Sequence, residues 1–269
     1  MTHRYAVIGN PVAHSRSPQI HTAFARQTGE ALEYTRIEAP IDGFREVASG
    51  YFAAGGSGLS VTVPFKSEAL AMAADATARA RLAGAANVLA VQPDGGLLAD
   101  NTDGIGLIRD LTLNLGVGLT GRRILLLGAG GAARGVIGPL LAESPAALFV
   151  ANRNGDRSAS LATHFALAGP LDGGGFDEIE GAWDIIINAT SAGLSGGEIP
   201  IEPECFAVDA LAYDMVYGVE TSFMALARGL GARVHDGLGM LVEQAAEQFQ
   251  LWRGVRPDTA PVIAELRGG

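Results

Sequence analysis

Apolar positions along this chain repeat with two periods, and the periods alternate. Short apolar runs over residues 5–9, 32–37 and 58–63 predict strands, while 18–28, closed by Gly29, and 44–54 carry helical spacing. That β-α-β-α order predicts a mainly parallel, doubly wound sheet. Residues 87–91 and 97–99 flank Pro93-Asp94-Gly95-Gly96, a turn sequence that predicts a hairpin at the edge of that sheet and the end of a first domain. A helix over 104–115 follows, with Ile105, Leu107, Ile108, Leu111 and Leu115 at its apolar positions, and Gly116-Val117-Gly118 breaks it. Strands are predicted over 123–127, 147–151, 184–188, 207–209 and 233–235, and a last amphipathic stretch over 240–252 has the spacing to pack on the first domain. Gly173-Gly174-Gly175 and Ser195-Gly196-Gly197 read as mobile loops. The expected fold class is α/β in two domains, one spanning 1–103 and completed by helices over 237–269, the other spanning 104–236.

The second domain carries a glycine-rich corner. Arg123-Ile124-Leu125-Leu126-Leu127 runs into Gly128-Ala129-Gly130-Gly131-Ala132-Ala133, and a helix is expected to begin near Ala132. In a Rossmann-type corner Gly128 allows the tight turn, Gly130 lets the backbone approach a pyrophosphate, and Ala133 takes the packing position. The unpaired N–H groups of the helix start then face the phosphates. About twenty residues further on, the strand over 147–151 ends in Asn152-Arg153-Asn154, with Arg157 close behind. No acid stands at the ribose position, and the two arginines favour a 2′-phosphate. One charge-assisted hydrogen bond contributes roughly 1.5–3 kcal/mol, which favours NADP over NAD by about ten- to a hundredfold. Asp156 is the discordant residue, since a different loop path turns it toward the ribose.

Composition narrows the class of partner. The chain has 269 residues, 48% of them hydrophobic, enough for two packed cores. Lys and Arg number 19 against 29 Asp and Glu, and a net charge of −10 without a concentrated basic patch repels nucleic acid. Cys205 is the single cysteine, which excludes an internal disulfide and a cysteine-cluster metal site and fits a reducing compartment. No apolar stretch reaches membrane-spanning length, and the first residues enter a strand without a signal-peptide pattern. The expected setting is the cytoplasm, as a monomer or homodimer acting on a small molecule, with no membrane, nucleic-acid or metal partner.

Several residues can do chemistry. Ser15 and Ser17 lie two apart in the loop between the first strand and the first helix, so their hydroxyls can point the same way. Ser17 followed by Pro18 also reads as a helix N-cap, which puts the positive end of that helix beside both hydroxyls and suits a carboxylate. Lys66 follows Val61-Thr62-Val63-Pro64-Phe65 and opens a helix over 67–74, the unfavourable end of the macrodipole for a cation. Asp103, in Asp100-Asn101-Thr102-Asp103-Gly104, starts the next helix, where it or Thr102 can serve as N-cap. Asn87 is an amide in a strand that needs hydrogen-bond partners. Tyr217 reads equally as a core aromatic and Gln244 as an exposed helix residue.

Taken in order, the two-serine loop, Thr62 with Lys66, Asn87, Asp103, the glycine corner, Asn152-Arg153, Asn188-Ala189-Thr190-Ser191, Tyr213-Asp214-Met215-Val216-Tyr217 and Asp236-Gly237-Leu238-Gly239-Met240 closely resemble the shikimate dehydrogenase family over essentially the whole chain. The resemblance implies NADPH-dependent, reversible reduction of 3-dehydroshikimate to shikimate in aromatic amino acid and chorismate biosynthesis. By it, Lys66 and Asp103 are the catalytic pair, and Ser15 and Ser17 hold the substrate carboxylate with Tyr217 near it. Thr62, Asn87, Asp103 and Gln244 bind the substrate hydroxyls. NADP lies on Gly128, Ala129, Gly130, Gly131, Ala132, Asn152, Arg153 and Arg157, with Thr190, Met215, Gly237 and Met240 lining the rest. The first domain thereby becomes the substrate domain and the second the nucleotide domain.

The chain departs from the family pattern at Ser60 for a common Asn, Val88 and Asn154 for common threonines, and Ser222 for a common proline. Two rival readings remain open at this stage. One is a quinate/shikimate dehydrogenase using NAD, and the other is a nucleotide-sensing regulator that kept the fold and lost catalysis.

Overall fold

The computed structural model describes residues 2–190, 192 and 197–268. The chain forms two compact units, Met1–Gly106 with Leu241–Gly269, and Leu107–Met240.

The first unit runs β1 (His3–Gly9), α1 (Ser17–Thr28), β2 (Leu32–Glu38), α2 (Phe44–Ala53), β3 (Gly58–Val61), α3 (Lys66–Met72), β4 (Asp75–Ala76), α4 (Ala78–Ala83), β5 (Val88–Val91), β6 (Leu97–Asp100) and the start of α5 (Asp103–Arg109). Its sheet has the order β2-β1-β3-β5-β6-β4. β1 pairs in parallel with β2 and β3, whereas β5 is antiparallel to both β3 and β6. Ala6, Ile8, Leu59 and Val61 on the strands pack with Phe44, Phe65 and Leu89 in one core, which explains why β1 and β3 read as continuous apolar runs. The hairpin forms, but it is not at the edge. β4 pairs in parallel with β6 outside it, held by backbone bonds from Ala74 to Leu97 and from Thr77 to Ala99. A strand of two residues has too little length to show a period.

The second unit runs β7 (Arg123–Leu127), α6 (Gly131–Ala142), β8 (Ala147–Ala151), α7 (Gly155–Phe165), β9 (Asp172–Gly174), β10 (Trp183–Asn188), β11 (Phe206–Asp214), α8 (Ser222–Gly229) and β12 (Arg233–Asp236). All its pairings are parallel, in the order β12-β11-β10-β7-β8-β9, the doubly wound nucleotide-binding topology with its switch point between β7 and β10. Gly173 and Gly174, expected in a mobile loop, belong to β9 instead. A Cβ at Gly173 would lie 2.5 Å from the Ser158 carbonyl oxygen, and one at Gly174 would lie 2.7 Å from the Glu178 carboxylate. These glycines are there for close packing of α7 and the following turn against the strand. The expected loop at Ser195-Gly196 lies outside the described residues, as does Ser191.

The helix predicted over 104–115 is two pieces. α5 ends at Arg109, and Asp110–Asn114 make a π-helical turn, closed by the Leu115 N–H on the Asp110 carbonyl at 3.0 Å. The cause is Asp110, whose buried carboxylate accepts the Tyr213 hydroxyl at 2.6 Å and the Asn114 amide at 2.9 Å. Apolar periodicity does not register such a contact. After β12 the chain continues as α9 (Leu238–Arg253) and α10 (Ala260–Gly268), the helices expected over 237–269. Among the described residues, no helix is long and apolar enough to cross a membrane.

Candidate active site

In the first unit, turns after β1, β3 and β6 carry the reactive side chains, and α9 supplies the amides behind them. Lys66 is the first residue of α3, whose cap position is Phe65 and carries no side-chain cap bond. Its ammonium donates to Asp103 Oδ2, and the two side chains are only 15% and 9% exposed. Asp103 opens α5, but its carboxylate turns to Lys66 and to the Asn87 amide, which donates to Oδ1 at 2.7 Å. Its backbone N–H takes Asn101 Oδ1 at 3.2 Å.

Asn87 is fully engaged. Its carbonyl oxygen accepts the Thr102 backbone N–H at 2.8 Å, and its amide nitrogen reaches Thr102 Oγ1 at 2.9 Å and Gln244 Oε1 at 3.2 Å as well as Asp103. Behind it lies a polar chain that sequence reading missed. Gln248 Nε2 donates to Gln244 Oε1 at 2.7 Å, Ser60 Oγ donates to Gln248 Oε1, and the Tyr34 hydroxyl donates to Ser60 Oγ at 2.6 Å. Burial pushes the Tyr34 phenol above its ordinary pKa, against the effect of its hydrogen bonds with Ser60 and Ser17. The signal that would have found Gln248 is its place four residues after Gln244, on one face of a helix.

Ser17 is not the N-cap of α1. That position is Arg16, without a side-chain cap bond, because the Ser15 hydroxyl already accepts the Ser17 N–H at 3.3 Å and lies 3.2 Å from Ser17 Oγ. The pair is therefore brought together, and Arg36 braces the loop with two N–H bonds to the Ser15 carbonyl at 2.9 and 2.6 Å. Thr62 stands after β3, its backbone N–H on the Ile8 carbonyl at 3.0 Å and its methyl against Gly9, where a Cβ would come within 2.3 Å. Lys66, Asp103, Asn87 and Gln244 form one hydrogen-bonded cluster. Tyr217 belongs to the second unit.

The second unit presents a separate cradle at the C-terminal ends of its strands. Gly128 has φ +109°, and a Cβ there would meet Thr190 Cγ2 at 3.0 Å. α6 then starts at Gly131 with Gly130 as its cap and no side-chain cap bond, and a Cβ at Gly130 or Gly131 would meet open space. No side chain caps the N–H groups of this helix start, which suits a pyrophosphate. Asn152 follows β8, and Asn154, one of the departures from the family pattern, caps α7 by accepting the Arg157 N–H at 3.4 Å. Arg153 and Arg157 are exposed, and so is Asp156.

Thr190 donates its hydroxyl to Asn188 Oδ1 at 2.7 Å, and the Asn188 amide donates to Asp214 at 3.0 Å. Burial raises the Asp214 carboxyl above its ordinary value, which its bonds from Thr221, Val216 and Asn188 oppose. Met215 and Gly237 follow β11 and β12, so close that a Cβ at Gly237 would lie 2.3 Å from the Met215 carbonyl oxygen. Met240 is buried on the first turn of α9. The residues present fit a dinucleotide. Among the described residues there is no group of three His, Cys, Asp or Glu able to hold a metal ion.

Residues 7–89 match the family described as the shikimate dehydrogenase substrate binding domain, residues 111–195 the family shikimate / quinate 5-dehydrogenase, and residues 237–267 the shikimate 5′-dehydrogenase C-terminal domain. The shikimate dehydrogenase (NADP(+)) of Dechloromonas aromatica is 56% identical over 99% of this chain and 98% of its own. That of Hahella chejuensis is 54% identical over 98% of each chain. The crystal structure of shikimate 5-dehydrogenase from Thermus thermophilus in complex with NADP(H) and shikimate superposes with a TM-score of 0.88 at 31% identity, covering 99% of both chains. On its motifs, its two-sheet fold and these full-length likenesses, the chain belongs to the shikimate dehydrogenase family.

Proposed function

We propose that this protein is an NADP-dependent oxidoreductase that reversibly reduces 3-dehydroshikimate to shikimate, a step of aromatic amino acid biosynthesis, in the cytoplasm as a monomer or homodimer. The observation that carries the reading is the Lys66–Asp103 pair, joined through Asn87 to Gln244 in one buried polar cluster. NADPH, when bound, supplies the hydride that reduces the ketone.

The remaining work falls to the chain's own side chains. Reduction leaves negative charge on the former carbonyl oxygen, and the Lys66 ammonium stabilises it and gives it a proton. Asp103 holds that ammonium and orients a substrate hydroxyl, while Asn87 fixes the carboxylate. Ser15 and Ser17 hold the substrate carboxylate, with Tyr217 near it, and Thr62, Asn87 and Gln244 take hydroxyls. Gly128, Ala129, Gly130, Gly131 and Ala132 would receive the pyrophosphate, and Asn152, Arg153 and Arg157 the adenosine ribose and its 2′-phosphate. Thr190, Met215, Gly237 and Met240 would line the rest. On this reading residues 1–103 with 237–269 act as the substrate domain and 104–236 as the nucleotide domain.

The test is loss of NADPH absorbance on adding 3-dehydroshikimate, with NADPH and NADH compared, and shikimate and quinate compared in reverse. Turnover with NADPH, at least tenfold above NADH, is the expected result. Absence of turnover with 3-dehydroshikimate, or a clear preference for quinate with NAD, overturns the reading.

A further inference from the structure

The chain of hydrogen bonds behind the cluster has a direction, and the direction determines which atoms of Gln244 face a ligand. Asn87, Thr102, Gln244 and Gln248 are all less than 9% exposed, so each polar atom among them must find a partner inside the protein. Two groups that cannot reverse their roles set the direction. The Thr102 backbone N–H is only a donor, and it takes the Asn87 carbonyl oxygen at 2.8 Å. The Asn87 amide nitrogen therefore faces Asp103 and Gln244. The Leu241 carbonyl is only an acceptor, and it takes Gln244 Nε2 at 2.8 Å, which turns Gln244 Oε1 inward.

Gln248 completes this arrangement. Its Nε2 donates to Gln244 Oε1 at 2.7 Å and stands 3.3 Å from both the Asn87 backbone carbonyl oxygen and Thr102 Oγ1, while its Oε1 accepts the Ser60 hydroxyl. Ser60 in turn accepts the Tyr34 hydroxyl at 2.6 Å, so its single proton is left for Gln248. Were the Gln248 amide reversed, its oxygen would face Gln244 Oε1 across a hydrogen-bond distance in a buried setting, an acceptor against an acceptor.

We infer that Gln248, oriented by Ser60 and Tyr34, is a positioning residue that pins the Gln244 carbonyl inward and so makes Gln244 offer an N–H donor to a substrate oxygen. One Nε2 hydrogen goes to Leu241, and the second is the donor offered. The inference rests on the proposed binding of shikimate at this cluster and extends it to residues that touch no ligand. Ser60 belongs to the same device, which gives a physical role to a position where the chain departs from its family.

The test is a double-mutant cycle on the full-length protein, read as KM for shikimate, KM for NADP+ and kcat. Gln248→Met is expected to raise KM for shikimate about tenfold, the effect of losing one well-placed hydrogen bond, with KM for NADP+ and kcat within about threefold. In a Gln244→Ala background the same substitution is expected to change KM for shikimate less than about twofold, because its route is gone. Ser60→Ala, which removes only a hydroxyl, is run through the same cycle and keeps the test open should Gln248→Met fail to fold. Equal effects in both backgrounds, or a loss confined to kcat, overturn the inference. A wild-type protein that does not oxidise shikimate with NADP+ sinks the functional reading instead, so the two failures are distinct.

Discussion

At the scale of single residues, the pairing of polar side chains was readable wherever a short loop carries them. Lys66 and Asp103 each sit just beyond a strand in a segment whose order of residue types is distinctive, and the fold joins them by an ion pair. Removing the ammonium takes away both charge stabilisation and the proton donor, so Lys66→Met should lower kcat about 10²- to 10⁴-fold while KM for shikimate stays within a few fold, checked by steady-state kinetics. A collapse of affinity with turnover intact would make Lys66 a binding residue. Arg153 and Arg157 are exposed, which suits cations that meet a phosphate from solvent. Replacing both by Ala should raise KM for NADP+ about ten- to a hundredfold and leave that for NAD+ nearly unchanged. Tyr34, Ser60 and Gln248 were not legible. Ser60 and Gln248 are 188 residues apart, and each looks like an ordinary strand or helix residue until the fold brings them together.

At the scale of elements, α1, β2 and α9 meet around a histidine that no motif marked. His21 is fully buried, stacks on Tyr34 at 4.3 Å between centroids, and lies near Phe24, Phe249 and Trp252. Neither of its ring nitrogens has a hydrogen-bond partner, and burial lowers its pKa from 6.5 to about 3. Between these values the unfolded chain binds a proton that the folded chain refuses. The neutral ring's contribution is therefore complete above pH 6.5 and is lost as pH falls toward 3, at about 1.4 kcal/mol per pH unit. His21→Leu should flatten this part of the dependence, seen as a smaller drop in the urea midpoint between pH 7 and pH 4.5. Equal drops in both proteins would assign acid sensitivity to other groups. Most strands, and the helices over 18–28, 44–54 and 240–252, were recovered to within a few residues, because burial of one face imposes a period. The departures include β4, the π-helical turn at Asp110 and the Gly173-Gly174 strand, which depend on a two-residue pairing, one buried carboxylate and the space beside Ser158, together with α4, α7 and α8, which the apolar pattern did not mark, and β11, which runs on to Asp214 past the expected 207–209.

At the scale of the whole molecule, the mid-chain position of the glycine corner announced two units, and alternating strands and helices announced their layers. Strand order within each sheet was not legible, since it depends on crossovers that leave no mark in local pattern. The division carries a prediction of its own. The polar cluster is built wholly from Met1–Gly106 and Leu241–Gly269, and the phosphate cradle wholly from Leu107–Met240. A ligand that binds only the folded state suppresses local opening where it binds, and at a hundred times its Kd it adds about 2.7 kcal/mol. Shikimate alone should therefore slow amide hydrogen exchange around Ser15, Asn87, Asp103 and Gln244, and NADP+ alone should slow it at residues 128–133 and 152–157, each read by mass spectrometry of peptides. Protection by shikimate confined to the second unit would refute the assignment of substrate to the first, because no residue of the Lys66 cluster lies there.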